Sequence, residues 1–398
     1  MDIEFISAIL FVVLLAVVMI IKRKKLHVQK ILFPLIYFVM YRTKIGIRFM
    51  EKTAKKFSKP LKYIGYLGII VGFLGMLLIM VSLILSSYNI IVKPKAPAGV
   101  GLIQPFKEGI PGTVYVPFFY FIISIFILAV VHEFSHGILA KKYGLKIKSS
   151  GFAVLGILLP ILPVAFVEPD EKKLRKKPYR EQLSIFAAGP FSNIVLAFIV
   201  LAVSGFLIAP MLGSAIEFNG VLVTDFVKGD YPAETSGMEK NEIIKEVDGI
   251  KMDYLTNFSN ILASKKAGDI VRIKTDKKEY AIKLAENPDN KTKGYLGVYI
   301  AQNKRVKENI KEKIGEWPVY VMMWLFGLSY WLFTLNLGIG LFNLVPIGPI
   351  DGGRMLQLAL RKFFRKEKAD NLWKSIGMLF LFLVIINIVL AIIKGLGG

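Results

Sequence analysis

The stretch Val131-His132-Glu133-Phe134-Ser135-His136-Gly137 lies inside an apolar run that begins near Tyr115. On a helix, residues four apart share one face, so His132 and His136 can present ring nitrogens to one metal ion. Glu133 is then placed to take a proton from a water molecule on that metal. Two of the chain's three histidines stand in this motif, and ionisable groups within an apolar span are costly enough to favour a functional role. The sequence therefore predicts a zinc site inside a membrane.

The composition indicates a protein with several membrane spans. The chain has 398 residues, of which 54% are hydrophobic, and a mean hydropathy of +0.55. Its net charge is +23, but the basic residues cluster beside apolar runs. The positive-inside rule and attraction to anionic lipid explain this pattern, so we expect no nucleic-acid partner. The chain has no cysteine, which excludes disulfides and thiolate zinc ligands and leaves His, Asp and Glu to hold a metal.

Six apolar stretches are predicted to cross the bilayer: 5–21, 61–88, 115–140, 183–208, one within 317–353, and 373–393. Acidic residues precede the first stretch and Lys22-Arg23-Lys24-Lys25 follows it. This pattern predicts a retained helix with its N-terminus outside and argues against a cleaved signal peptide. Residues 31–41 are too short to cross and are flanked by basic residues, so we expect them to lie at the inner surface. Residues 89–113 contain four prolines and are predicted to form an outer loop.

The apolar stretch 151–166 is interrupted by Pro160 and Pro163. It could be one more short crossing. However, lysines at 141–148 precede it and a basic cluster at 172–177 follows it. Because basic flanks stay on the cytoplasmic side, the segment is expected to enter and leave at one face, as a re-entrant loop or hairpin.

A third metal ligand is expected from the last part of the stretch 317–353. Pro346 and Pro349 must break the helix, which leaves an unwound segment that presents Asp351 at the depth inferred for His136. Asp351 could instead mark the end of the span. A role of Asp351 as metal ligand is favoured because the site needs a third protein ligand and no other acidic residue lies at that depth. Asn193, in the fourth span, is either a contact between helices or an active-site donor.

Residues from about 216 to 313 are charged and are predicted to form a small soluble domain, placed outside by the topology. Strands are predicted at 221–227, 242–247, 270–275, 280–284 and 295–300, with a helix at 256–264. The blocks 232–238 and 243–249 resemble a PDZ domain of the bacterial protease type. The run Gly294-Tyr295-Leu296-Gly297-Val298 is similar to a PDZ carboxylate-binding loop. Such a domain would bind peptide termini; the alternative is a spacer.

Three motifs in chain order together resemble the site-2 protease family of intramembrane zinc metalloproteases. They are His132-Glu133-Phe134-Ser135-His136, Ala188-Gly189-Pro190-Phe191-Ser192-Asn193, and Asn343-Leu344-Val345-Pro346 through Asp351-Gly352-Gly353. The resemblance covers about 115–355. It implies a polytopic α-helical membrane protein of about six transmembrane helices with a re-entrant hairpin, plus a small α+β PDZ-like extracytoplasmic domain.

This resemblance gives an expected domain organisation. Residues 1–114 hold the first two transmembrane helices with a basic cytoplasmic loop and an outer loop, and 115–215 form the first part of the catalytic core. Residues 216–313 form the PDZ-like domain, 314–355 the second core segment, and 356–398 a basic loop and the last transmembrane helix.

The resemblance also implies a reaction. His132, His136 and Asp351 would bind one Zn²⁺ per chain, with Glu133 as the base that activates water and later protonates the leaving amine. Asn193, with Asn343 as a second candidate, would stabilise the oxyanion. The substrates would be transmembrane proteins or peptides within the lipid bilayer of the cell membrane. They would be cut toward its cytoplasmic half while held extended by an edge strand from 151–166.

Three other functions remain open from the sequence. The first is a proteolytically silent, PDZ-bearing membrane scaffold, disfavoured because all three ligands and the glutamate are present. The second is a membrane protease of the prenyl-protein endopeptidase type. That type uses a glutamate as its third metal ligand, and no second acidic motif of that kind lies on a span of this chain. The third is a metal transporter, in which Glu133 would have no clear role.

Overall fold

A computed structural model describes residues 3–32, 36–93, 99–106, 109–157, 159–288 and 290–396. The chain divides into two compact units, one formed by 1–204 with 327–398 and the other by 205–326. In the described residues, six helices are long and apolar enough to cross a membrane. These candidate spans are Glu4–Lys25, Ser58–Val92, Phe118–Lys142, Tyr179–Ala215, Trp317–Phe342 and Lys366–Lys394.

The first unit is built mainly from helices. Their bounds are α1 (Ile3–Lys22), α2 (Ile47–Lys56), α3 (Ser58–Val92), α4 (Phe118–Lys142), α5 (Glu171–Leu174), α6 (Tyr179–Val203), α11 (Trp317–Phe342, which begins in the second unit), α12 (Asp351–Phe363) and α13 (Lys366–Leu396). Short apolar clusters join them; one links α3, α6 and α12 through Met76, Ala187 and Met355. Each predicted span is therefore a helix, and the predicted outer loop 89–113 is shortened because α3 continues to Val92.

The directions of these helices follow from contacts at their ends. The backbone N–H of Phe118 donates to Glu4 Oε2 (2.6 Å), so α1 and α4 begin at the same end of the unit. Lys142 Nζ lies 3.4 Å from Ser58 Oγ, so α3 begins where α4 ends. At the opposite end of α3, Asn387 of α13 bonds Ser87 Oγ at 2.7 Å. The successive spans α1, α3 and α4 therefore alternate in direction along the chain, and α13 runs parallel to α3.

A four-stranded antiparallel sheet accompanies the helices, with strands in the order β1-β2-β5-β6. Its strands are β1 (Leu26–Leu32), β2 (Ile36–Thr43), β5 (Ile147–Ile157) and β6 (Leu159–Pro169). Two short strands pair in parallel: β3 (Leu102–Gln104) lies in the predicted outer loop, and β4 (Thr113–Tyr115) begins at its last residue. Residues 94–98 and 107–108 of that loop fall outside the described residues.

Residues 31–41, which were expected to lie at the inner surface, belong to this four-stranded sheet. Their described residues end β1 and form most of β2, and residues 33–35 are outside the described ranges. Strand β2 is rich in β-branched and aromatic residues, which pack well on a pleated surface. It pairs with β5 along its whole length, from Ile36 opposite Ile157 to Thr43 opposite Ser150.

The described residues of 151–166, which leave out 158, form a β-hairpin whose two ends meet beside the end of α4. The N–H of Asp170 donates to the Lys146 carbonyl (2.9 Å), and Leu145 is bonded to Ala140 within the turn that ends α4. The hairpin then runs back along α4, where Phe152 stacks on Phe126 with ring centroids 5.9 Å apart. Because a helix rises 1.5 Å per residue, this contact lies about 24 Å from the end of α4.

The predicted break after α11 is present. The helix stops at Phe342, and α12 begins at Asp351 after an irregular segment that contains both prolines. The N–H of Gly352 donates to the Asn343 carbonyl (2.8 Å), which closes the segment. A side chain on Gly352 would collide with the Leu344 backbone, so glycine is required by this close approach.

The second unit has a β-sheet with strands in the order β11-β10-β8-β7-β14, with β9 paired to β8. Its strands are β7 (Ile216–Phe226), β8 (Ile243–Val247), β9 (Ile250–Lys251), β10 (Ile270–Thr275), β11 (Glu279–Lys283), β12 (Ala285–Asn287), β13 (Asn290–Tyr295) and β14 (Val298–Val306). Its short helices are α7 (Ala209–Ala215), α8 (Pro232–Thr235), α9 (Leu255–Ser264) and α10 (Glu308–Ile314). Four predicted strands correspond to β7, β8, β10 and β11, and the predicted helix corresponds to α9. The fifth predicted strand, 295–300, overlaps β14 only from Val298, and β9, β12 and β13 were not predicted. A groove of about 300 Å³ lies between α9 and the predicted carboxylate-binding loop.

Candidate metal centre

Three predicted ligands converge inside the first unit. His132 and His136 lie one turn apart on α4, and Asp351 is the first residue of α12. Asp351 Oδ2 is 3.2 Å from His132 Nε2 and 3.3 Å from His136 Nε2. The two Nε2 atoms are 3.1 Å apart. Within the described part of the chain, His132, His136 and Asp351 thus form a group of three side chains that could hold one metal ion.

The triangle has the size that a zinc ion requires. Zinc bonds of about 2.0–2.1 Å in a tetrahedron place neighbouring ligand atoms roughly 3.3 Å apart. The three measured separations of 3.1–3.3 Å match this edge length. Two imidazoles and one carboxylate, with one position left for water, are also a donor set typical of catalytic zinc. The residues present therefore fit the predicted cofactor.

Helix α6 closes one side of the triangle at Gly189. A methyl group on Gly189 would lie 2.5 Å from His132 Nε2 and closer still to His136 Nε2. Glycine is therefore what allows α6 to approach both ligand nitrogens. Four residues earlier, the Ile185 carbonyl accepts a hydrogen bond from His136 Nδ1 (2.6 Å).

Glu133 is held by a backbone group of the sheet. The N–H of Val167, on β6, donates to Glu133 Oε2 at 2.9 Å. Since β6 is an edge strand of its sheet, this N–H points away from β5 and toward α4. The contact fixes the carboxylate of Glu133 beside His132, the position expected of the predicted general base.

Two cavities meet at the predicted site. One, of about 460 Å³, is lined mainly by apolar side chains of the sheet and of α4, including Met40, Leu128, Ala153 and Ala165. The other, of about 280 Å³, contains all three ligands with Pro349 and Arg354. His132, Glu133 and Asn343 line both cavities. These three side chains therefore lie where an apolar cavity joins a more polar one.

A family model described as Peptidase family M50 matches residues 120–384. This range contains the three ligands, Glu133 and the inserted second unit. The chain belongs to peptidase family M50. Together with a donor set that fits zinc, membership identifies the chain as a zinc metallopeptidase of the site-2 protease type, as the sequence motifs predict.

Relatives of the M50 chain include proteins with protease names. An uncharacterized protein of Methanocaldococcus jannaschii is 30% identical over 331 residues, which is 79% of this chain and 75% of that protein. The regulator of sigma-W protease RasP of Bacillus subtilis is 24% identical over 56% of this chain and 61% of its own length. The zinc metalloprotease RasP of Shouchella clausii is 22% identical over 48% of this chain and 54% of its own length. The chain thus spans about half to two thirds of the two RasP proteins.

Solved structures match a smaller part of the M50 chain. The PDZ domain of an SdrC-like protein from Listeria monocytogenes is 27% identical and covers 21% of this chain and 90% of that domain, with a TM-score of 0.19. The corresponding domain from Listeria innocua is 30% identical and covers 21% of this chain and 96% of its own length, with a TM-score of 0.18.

One predicted residue of the M50 site has an unexpected environment. Asn193 was expected to donate to the oxyanion, but it is fully buried and lines neither cavity. Its amide nitrogen lies 3.2 Å from His132 Nδ1, on the side of the ring away from Asp351. Asn343, the second candidate, faces both cavities.

Proposed function

We propose that this M50 peptidase hydrolyses peptide bonds of membrane-embedded protein or peptide substrates. The observation that carries the proposal is the placement of Glu133 and the three ligands among apolar helices long enough to span a bilayer. A soluble protease has no need to bury its catalytic groups among such helices, since ionisable groups there are costly.

The roles of the residues follow from their positions. His132, His136 and Asp351 would hold zinc, which when bound lowers the pKa of water and polarises a peptide carbonyl. Glu133 accepts a proton from water and returns it to the leaving amine, and the Val167 N–H keeps its carboxylate oriented. Asn343 faces both cavities and can donate its amide N–H to the developing oxyanion.

Strand β6 offers a template for the substrate. A helical segment has its carbonyls hydrogen-bonded, so it must be extended before attack. Strand β6 borders the apolar cavity and presents the backbone of Ala165 near Glu133. A substrate strand added to this edge would satisfy its own backbone groups within the membrane and bring a carbonyl toward the metal.

The proposed sidedness rests on charge and on helix direction. Lys141 and Lys142 end α4, and the basic segment 172–177 follows the hairpin at the same end of the unit. Basic flanks are retained in the cytoplasm. We therefore place the metal site in the cytoplasmic half of the cell membrane, the hairpin as re-entrant from that side, and the PDZ-like unit outside.

Cysteine labelling tests this topology, because the chain has no cysteine of its own. Single cysteines at the exposed positions Lys148 and Lys172, on either side of the hairpin, should both be labelled only from the cytoplasmic side. A cysteine at Lys278 in the second unit should be labelled only from outside, and the parent chain gives the background. Labelling of Lys148 and Lys172 from opposite faces would refute the re-entrant hairpin.

Cleavage in liposomes tests the function itself. The purified protein should cut a single-span substrate within its apolar segment, should stop after a chelator removes zinc, and should recover when zinc is restored. A silent PDZ-bearing scaffold would bind peptide termini in the groove beside α9 without cutting. A protease of the prenyl-protein type would cut only a lipidated substrate. Cleavage that does not depend on zinc, or no cleavage by protein that holds one zinc per chain, would contradict the proposal.

A further inference from the structure

One face of α6 lies against both histidines of the metal centre. Ile185, Gly189 and Asn193 are spaced four residues apart and so share this face. Ile185 contacts His136, Gly189 approaches both rings, and Asn193 contacts His132. Each imidazole therefore has a partner on α6 at its Nδ1 atom, the nitrogen that does not face Asp351.

The partner of His136 shows what this position requires. A neutral imidazole can offer Nε2 to a metal only when Nδ1 carries the proton, and that N–H then needs an acceptor. The Ile185 carbonyl can only accept, so its 2.6 Å contact with His136 Nδ1 selects the tautomer that leaves Nε2 free. His132 must meet the same condition, because its Nε2 completes the same triangle.

Asn193 meets this condition in one of its two amide orientations. Its Nδ2 now faces His132 Nδ1, while its buried Oδ1 has no hydrogen-bond partner in the described part of the chain. The oxygen and nitrogen of an amide exchange places by a half-turn and have nearly the same shape. After that turn, Oδ1 accepts from the Nδ1–H of His132, which matches the role of the Ile185 carbonyl.

The packing around Asn193 leaves little freedom for another role. A methyl group on Gly340 of α11 would lie 3.2 Å from the Asn193 Cβ, so α11 presses directly on this side chain. Asn193 is fully buried and borders neither cavity that holds Glu133. Its amide reaches the ring of a ligand rather than the space where a substrate carbonyl would lie.

We propose that Asn193 is a positioning residue, which accepts the Nδ1–H of His132 and so orients its Nε2 toward the metal. This inference rests on the proposed zinc site. It differs from a role in oxyanion stabilisation because it acts on metal binding before any substrate is present.

Metal affinity of substrate-free protein tests the inference. Asn193→Ala should bind zinc roughly 10–100-fold more weakly in competition with a chelator, as is usual for loss of a partner behind a metal ligand. The visible spectrum of the cobalt-substituted protein should also change, since the ring of His132 is no longer fixed. Asn193→Asp, whose carboxylate still accepts a hydrogen bond, should restore zinc affinity to near the parent value.

Matched variants separate the possible outcomes. Asn336→Ala removes another fully buried asparagine, one bonded to its own helix at Leu332, and should leave zinc affinity unchanged. If Asn193→Ala does not fold, the same measurements are made on Asn193→Leu, because leucine is similar in size to asparagine but cannot accept a hydrogen bond. Parent-like zinc affinity and cobalt spectrum with a fall in kcat alone would overturn the proposal in favour of an oxyanion role. If the parent chain binds no zinc, or Asp351→Ala binds it equally well, the metal site itself is wrong.

Discussion

Glu133→Gln should lower the rate of cleavage by about 10²–10⁴-fold, the usual contribution of a general acid–base, while zinc content stays at one ion per chain. Glutamine has nearly the same shape and keeps an oxygen that accepts from the Val167 N–H. The substitution therefore removes the proton acceptor and preserves the local structure. Cleavage of a single-span substrate and metal content measured on the same preparation give the result.

The matched control is Glu51→Gln. Glu51, on α2, forms an ion pair at 3.4 Å with Lys141 of α4, the helix that carries Glu133. Glu51 lies outside both cavities at the metal centre. Partly exposed ion pairs contribute little to stability, so activity should be close to that of the parent. Near-normal cleavage by Glu133→Gln would show that another group acts as the base.

Gly189→Ala should abolish stoichiometric zinc binding and, with it, cleavage. The added methyl group would lie 2.5 Å from His132 Nε2 and would occupy the space beside both ligand nitrogens. Either α6 moves away from α4 or the rings turn, and in both cases the triangle with Asp351 is lost. Zinc measured per chain after gel filtration should fall well below one.

The control for this variant is Gly338→Ala on α11, where nothing lies within 4 Å of the added methyl group. Alanine is favoured over glycine in a helix by about 1 kcal/mol, so this variant should fold at least as well as the parent. A Gly189→Ala protein that holds one zinc and cuts normally would show that α6 does not approach the ligands this closely in the working enzyme.

Much of the metal centre could be predicted from the sequence, because side-chain identity and local spacing determine it. The histidines fall on one face of α4 through the period of the helix. The helix break, and with it the position of Asp351 at the start of α12, follows from Pro346 and Pro349. These features depend on residues close together in the chain.

The parts that the sequence did not predict depend on partners far apart. The pairing of β2 with β5 joins segments about a hundred residues apart, and hydropathy alone cannot distinguish such a strand from a surface segment. The contacts of the Val167 N–H and the Ile185 carbonyl are made by backbone groups. Because almost every residue has these groups, the residue types at 167 and 185 do not indicate the contacts. Gly189 stands in a recognisable motif, but its closeness to the histidines appears only when α6 packs on α4.

The ligands come from two helices, α4 and α12, that are joined through the irregular segment after α11 and through the whole inserted unit. Metal binding is therefore coupled to folding, because the ion is held only when α12 is seated against α4. Zinc starvation would then do more than stop catalysis. It would also remove the bonds that link α12 to α4, so removal of the metal should lower the free energy of unfolding and loosen the 343–350 segment.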